Sequence, residues 1–356
     1  MRNRRWPWLM AALVLLGAGA WLMSREDPER PEPARERVSM PRKMRNPERQ
    51  RAQERRTLVV PAPDPTPGEA PPPPPALRDP VLAALPSKIE RAAVVIEANA
   101  LRHSPVGELL VDCMTSFDGG RRLQQVRDET GVDPLEDLDR VAFADGTLIL
   151  SGHFENAELP KLLFEGPGRP HGRDGMLHEG KNAVVGSWRG QMFVLGNTAE
   201  EVTEVLDRLE GKGLGEGPPL LDESSTFGEI YGVISPQALA RLVPKEQQAL
   251  AQRLERAAER IELHVDAQRN VGIVADIGGG DPQDTVDLGK SVGAALALAR
   301  MQAQANGKTE LAELLEFARV VPENGEFRME MSLPLEVLEK HLKECVAQNE
   351  ARKPEP

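Results

Sequence analysis

Residues 139–154 read DRVAFADGTLILSGHF. Apolar and polar residues alternate on either side of Asp145-Gly146, the strongest short-range signal for an antiparallel hairpin. The same grammar returns three times: Ala183–Ser187 with Gln191–Leu195 around Trp188-Arg189-Gly190, Ile261–Ala267 with Val271–Ile277 around Gln268-Arg269-Asn270, and Arg319–Val321 with Glu326–Leu333 around Asn324-Gly325. Ala92–Asn99 and Phe227–Ile234 read as single strands, each followed by Ser-Pro (Ser104-Pro105 and Ser235-Pro236), which opens a helix.

Helices fill the intervals. Val106, Leu109, Leu110, Cys113 and Met114 recur at three and four, as one face of a helix requires. Arg121–Thr130 is a second helical piece, Asn156–Phe164 a short one, and Pro244–Arg260 a charged one. Thr198 with Glu201 forms a capping box ahead of Val202, Val205, Leu206 and Leu209. Asp281 caps a helix beginning at Pro282 that runs to Ala305 and stops at Asn306-Gly307, with another from Thr309. A last helix follows Pro334, with Leu335, Leu338, Leu342, Cys345 and Val346 on one face. Residues 166–180, rich in glycine, read as a loop.

Both halves thus run strand, helices, hairpin, helix, hairpin, helix, with Leu150 matching Val274 and Val194 matching Glu330. The fold class expected is α+β: two similar lobes of antiparallel hairpins covered by helices, residues 81–215 and 216–350, arising by internal duplication. A groove shared between the lobes is where a ligand would sit.

The first eighty residues differ in kind. They hold 15 basic and 10 acidic side chains, whereas the remaining 276 hold 29 and 46. Trp6–Met23 carries no charge over 18 residues, follows Arg2, Arg4 and Arg5, and has Trp6, Trp8 and Trp21 near its ends. Residues 1–24 are therefore expected to be a single transmembrane anchor with its basic tail inside, lodged in a bacterial inner membrane and displaying the C-terminal body in the periplasm. A cleaved signal peptide ending at Ala18-Gly19-Ala20 is the rival reading, opposed by the apolar run continuing through Met23. Residues 25–80 hold 15 of the 31 prolines, with Pro71–Pro75 consecutive, and are expected to form a disordered linker with a stiff polyproline II stretch.

Composition excludes several functions. An acidic body repels a phosphate backbone, so nucleic acid is not an expected partner. Gly186-Ser187-Trp188-Arg189-Gly190 places its serine one position too early for a nucleophile elbow, and Gly278-Gly279-Gly280 lacks the lysine of a phosphate-binding loop. His171, Asp174, His178 and Glu179, with His153 nearby, offer zinc-type ligands but no recognised spacing. Solvated loop residues are the expectation there, with no metal, no cofactor and no catalytic residue. Cys113 and Cys345 both lie on apolar helix faces, read as buried free thiols, with a bridge as the alternative in an oxidising compartment. Trp188 is the only tryptophan of the body. At a hairpin tip beside Arg189 it would be the candidate contact for an envelope protein partner; folding back onto its own sheet is the competing possibility.

Residues 85–110 (LPSKIERAAVVIEANALRHSPVGELL) and 131–144 (GVDPLEDLDRVAFA) resemble membrane-anchored envelope proteins of GC-rich Gram-negative bacteria, myxobacteria especially. The resemblance covers roughly residues 85–210. That family has no assigned activity, so the resemblance implies a place in the envelope and a fold, not a chemistry. The function expected is binding or scaffolding without catalysis. A hydrolase whose acids converge in the fold, or a carrier of an apolar ligand between the lobes, are the alternatives.

Overall fold

The computed structural model describes residues 79–115, 119–154, 168–180, 183–212, 219–221, 225–241, 243, 248–323 and 326–340. The expected anchor, nearly all of the linker and the helix at 156–164 lie outside them. Among the described residues no helix is long and apolar enough to cross a membrane. The architecture is α+β.

The first half runs α1 (Pro80–Ala84), β1 (Ala92–Ile96), α2 (Ala98–Arg102), α3 (Pro105–Thr115), α4 (Gly119–Thr130), β2 (Leu138–Ala144), β3 (Thr147–Gly152), β4 (Arg169–His171), β5 (Gly175–Glu179), β6 (Val184–Trp188), β7 (Met192–Gly196) and α5 (Ala199–Leu209). The second runs β8 (Ile230–Ile234), α6 (Pro236–Ala240), α7 (Gln248–Ala257), β9 (Ala258–Asp266), β10 (Val271–Gly279), α8 (Pro282–Ala305), α9 (Thr309–Glu316), β11 (Ala318–Glu323) and β12 (Glu326–Leu333). Residues 335–340 are helical.

The strands form one antiparallel sheet in the order β11-β12-β10-β9-β8-β1-β2-β3-β7-β6-β5-β4. Outward from the centre, β1-β2-β3-β7-β6 on one side repeats as β8-β9-β10-β12-β11 on the other. The halves meet along the β1–β8 ladder, Ala92 opposite Ile234 and Ile96 opposite Ile230. They are therefore joined edge to edge, and a strand pair stands where the sequence suggested a groove between lobes. Leu150 and Val274, matched by sequence, fall on opposite faces of the sheet, because an odd error in register turns a side chain over.

Turn chemistry fixes the registers. Asp145 and Gly146 both have positive φ (47° and 116°), as a two-residue type I′ hairpin demands, and the Asp145 carboxylate also accepts from the backbone N–H groups of Glu90 and Arg91 at 2.7 Å. Arg189 and Gly190 also have positive φ (52° and 64°), and with Gln191, whose N–H donates to the Trp188 carbonyl at 3.1 Å, they link Trp188 to Met192. Thr198 and Asp281 cap their helices as the sequence indicates, the first with the full box. Asp79 caps α1, so folded structure already begins within the last two positions assigned to the linker. Residues 169–179, read as part of a loop, form the β4–β5 hairpin. The α7 helix ends at Ala257 and β9 begins at once, three residues ahead of the expected start. Both edge strands, β4 and β11, contain a proline (Pro170 and Pro322), and a missing backbone donor discourages further pairing.

Helices cover opposite faces in the two halves. On the upper face, Ala93, Val95, Ala142, Ile149 and Val194 pack under α1 and α5 through Val81, Ala84, Val202, Val205 and Leu206. On the lower face of the second half, Ile261, Ile277 and Phe327 pack against Leu254 and Ala257 of α7 and Leu288 of α8. Cys113, on α3, is disulfide-bonded rather than free, which corrects the expectation of buried thiols. Cys345, the chain's other cysteine, lies outside the described residues.

Candidate functional site

Successive strand residues point to opposite faces, so the ladder registers sort the sheet into rows. One upper row is Val194, Ile149, Ala142, Val95, Tyr231, His264 and Val274. Every member is at most 4% exposed. Two lower rows run parallel to it beneath: Leu195, Leu148, Phe143, Val94, Gly232, Leu263, and then Phe193, Leu150, Val141, Ile96, Ile230, Val265, Ile273. Apart from buried Phe193 and Gly232, all of these are only half-buried.

The lower rows thus form an apolar strip through the middle of the sheet that its own helices cover incompletely. From β3 to β9 it crosses five strands, about 19 Å at the usual spacing. Gly232 lies in the centre. A Cβ there would come within 2.2 Å of the Ala93 carbonyl oxygen, so the floor carries no side chain between Val94 and Leu263. Packed clusters border the strip on two sides. Val132, Phe154, Val185 and Phe193 form one border; Leu101, Val106, Val265, Ile273, Leu335 and Leu338 belong to the other. Sequence reasoning took Ala92–Asn99 as a buried strand, which the structure ends at Ile96, and overlooked this strip. The signal was present, since a run apolar at every position needs both faces dry, and only one of them has an evident helical cover.

Charge gathers on the upper face where the halves join. Tyr231 donates its hydroxyl to Glu97 at 2.7 Å, and Glu229, fully buried, accepts from the Ala267 N–H at 2.6 Å and from Gln268 at 3.2 Å. Arg140 pairs with buried Asp79. Burial works against the Arg140 charge, but Asp79 and then Glu97 outweigh it, and the pKa is raised. Where carboxylate pKa values depart from the ordinary among the described residues, at Asp207, Glu262 and Asp287, all move down. None of these is poised as a general acid near neutrality. A surface recess between α7 and α8 is bounded by Arg253, Arg256, Asp284 and Asp287 and gives an apolar ligand little wall.

The residues singled out from sequence are dispersed. Trp188 is wholly buried, the last residue of β6 rather than a tip, because the turn takes Arg189, Gly190 and Gln191 and Trp188 pairs with Met192. Its indole N–H donates to Glu210 at 3.1 Å. Arg189 stacks over the indole at 4.4 Å and pairs with Asp174 at 2.7 Å, so Trp188 offers no contact surface while Arg189 stays exposed. His171 bonds Asp207 at 2.8 Å, and the His178 ring packs where a Gly168 Cβ would stand, with burial lowering its pKa. Among the described residues no group of three or more His, Cys, Asp or Glu is placed to hold a metal. Ser187 stays in β6, and Gly278-Gly279-Gly280 closes β10 into the Asp281 cap.

No protein-family model and no curated protein matches the chain. Among solved structures it is similar to three crystal forms of TP0453, each at 12% identity. Form III covers 74% of this chain and 97% of its own with a TM-score of 0.45, form I 76% and 99% at 0.41, and form IV 73% and 94% at 0.42.

Proposed function

We propose that this chain is a membrane-anchored envelope protein whose body binds an elongated apolar ligand on the lower face of its sheet, without catalysis. The observation that carries the reading is the contrast between rows: the upper one is sealed, while Leu148, Phe143, Val94, Ile96, Val141 and Ile230 are left half-buried in one continuous strip. Moving ten methylenes from water onto such a surface contributes about 8 kcal/mol before ordering costs. Micromolar or weaker affinity is the natural scale. In this reading residues 1–24 hold the protein at the inner membrane, the linker sets its reach into the periplasm, and the repeated strand order descends from a duplicated half. The carrier site lies across the joined halves rather than in a cleft between them.

The test is to add a photoactivatable diazirine alkane to the full chain, irradiate, and map the adducts by mass spectrometry. Adducts on peptides containing β1, β2, β3 or β8 support the reading. Labelling confined to residues 1–24, or none at all, overturns it.

A further inference from the structure

Resting on that reading, we infer that the ligand is an acyl chain ending in a carboxylate, and that Arg102 holds its head. Arg102 closes α2, the helix that begins two residues after Ile96 and lies against β2. Its neighbour Leu101 packs against the same buried cluster, Val106, Ala267 and Val271, as Val265 and Ile273, the residues that end the second apolar row. Arg102 therefore belongs to the helix that borders the strip where β1 ends, beside Ile96 and against β2. One of its terminal nitrogens donates to Asn99 Oδ1 at 3.1 Å, but Nε is buried and has no acceptor.

A buried guanidinium N–H without a partner is costly, and a carboxylate oxygen is the acceptor whose geometry suits the fork. Asn99 already occupies one nitrogen, and half-burial of Arg102 leaves room for a small head group in preference to a bulky one. Apolar floor and cationic end together describe a fatty acid. The alkyl chain would lie over Val141, Ile96 and Val94 toward the dip at Gly232.

The experiment compares palmitic acid, methyl palmitate and a lysophospholipid as competitors for a diazirine fatty acid on the full chain, with wild type, Arg102→Gln and Val94→Glu side by side. Palmitic acid should compete at least tenfold better than its ester, and Arg102→Gln should erase that difference while labelling of the strip persists. Val94→Glu should lower labelling of β1, β2 and β8 for every competitor. Equal competition by acid and ester, with strip labelling intact, overturns the head-group assignment and leaves the carrier reading standing. Stronger competition by the lysophospholipid than by the acid overturns it in favour of a phosphate head. Absence of strip labelling in wild type overturns both.

Discussion

Tyr231 lies on β8 and Glu97 directly follows β1, the two strands at which the halves of the chain meet, and the phenol donates to the carboxylate across that junction at 2.7 Å. Tyr231 is fully buried and sits in the sealed upper row. Tyr231→Phe keeps the ring and removes only the donor. It is expected to cost about 1–3 kcal/mol, because a carboxylate loses a partner inside the sheet. A urea midpoint equal to that of wild type would show that the bond adds nothing to the junction.

Trp188 and Glu210 make a second such pair. Glu210 is 4% exposed and also receives the backbone N–H groups of Arg173 and Asp174 at 3.2 and 3.0 Å, so one carboxylate ties α5, the β4–β5 turn and the end of β6 together. Trp188→Ala should cost about 3–5 kcal/mol through lost volume. Trp188→Phe, losing chiefly the hydrogen bond, should cost about 1–3 kcal/mol. Unchanged melting in Trp188→Ala, together with loss of a captured partner, would restore Trp188 as a surface contact.

Acid should loosen the fold through at least two carboxylates. At Asp207 burial pushes the pKa up, but hydrogen bonds from Lys212 and His171 and their charges prevail, and it is lowered. At Glu262 the hydrogen bond from His264 is the main cause of lowering, opposed by burial and aided by Arg260. A folded-state pKa below the unfolded one gives stability that is present above the unfolded value and lost as pH falls through the folded value. Denaturant midpoints should therefore fall from about pH 5 downward. Asp207→Asn and Glu262→Gln should each flatten that fall; slopes identical to wild type would remove these groups from the account.

Cys113 joins α3 to another part of the chain through its disulfide. Since α3 contributes Val106 to the cluster bordering the apolar strip, the bridge steadies one wall of the candidate site. Reduction, or Cys113→Ser, is expected to cost about 2–4 kcal/mol. Two free thiols titrated in the denatured protein without reductant would contradict the bridge.

Local chemistry was the most legible part of this chain. Asp145-Gly146, the Thr198–Glu201 box and the Asp281-Pro282 start each settle one turn or cap by short-range rules, and each stands where the sequence puts it. Trp188 was misread by a one-residue shift of the turn: residues 188–190 as the turn leave it at the tip, whereas 189–191 place it in the sheet opposite Met192. The β1–β8 ladder was illegible for a different reason. It pairs residues about 138 apart in sequence, and nothing in either strand's own pattern names its partner across that distance. The strip follows from that ladder, so it could not be seen either.

The ladder between β1 and β8 also decides what can be taken apart. β4 and β11, the outermost strands, each carry a proline, whereas β1 (AAVVI) and β8 (IYGVI) carry none. Cutting the chain between residues 215 and 216 would expose two bare, aliphatic borders able to recruit any extended polypeptide. Neither fragment should stay monomeric when made alone. Mixed during refolding they should find each other, because each half is the one partner whose edge matches the other's along the β1–β8 ladder.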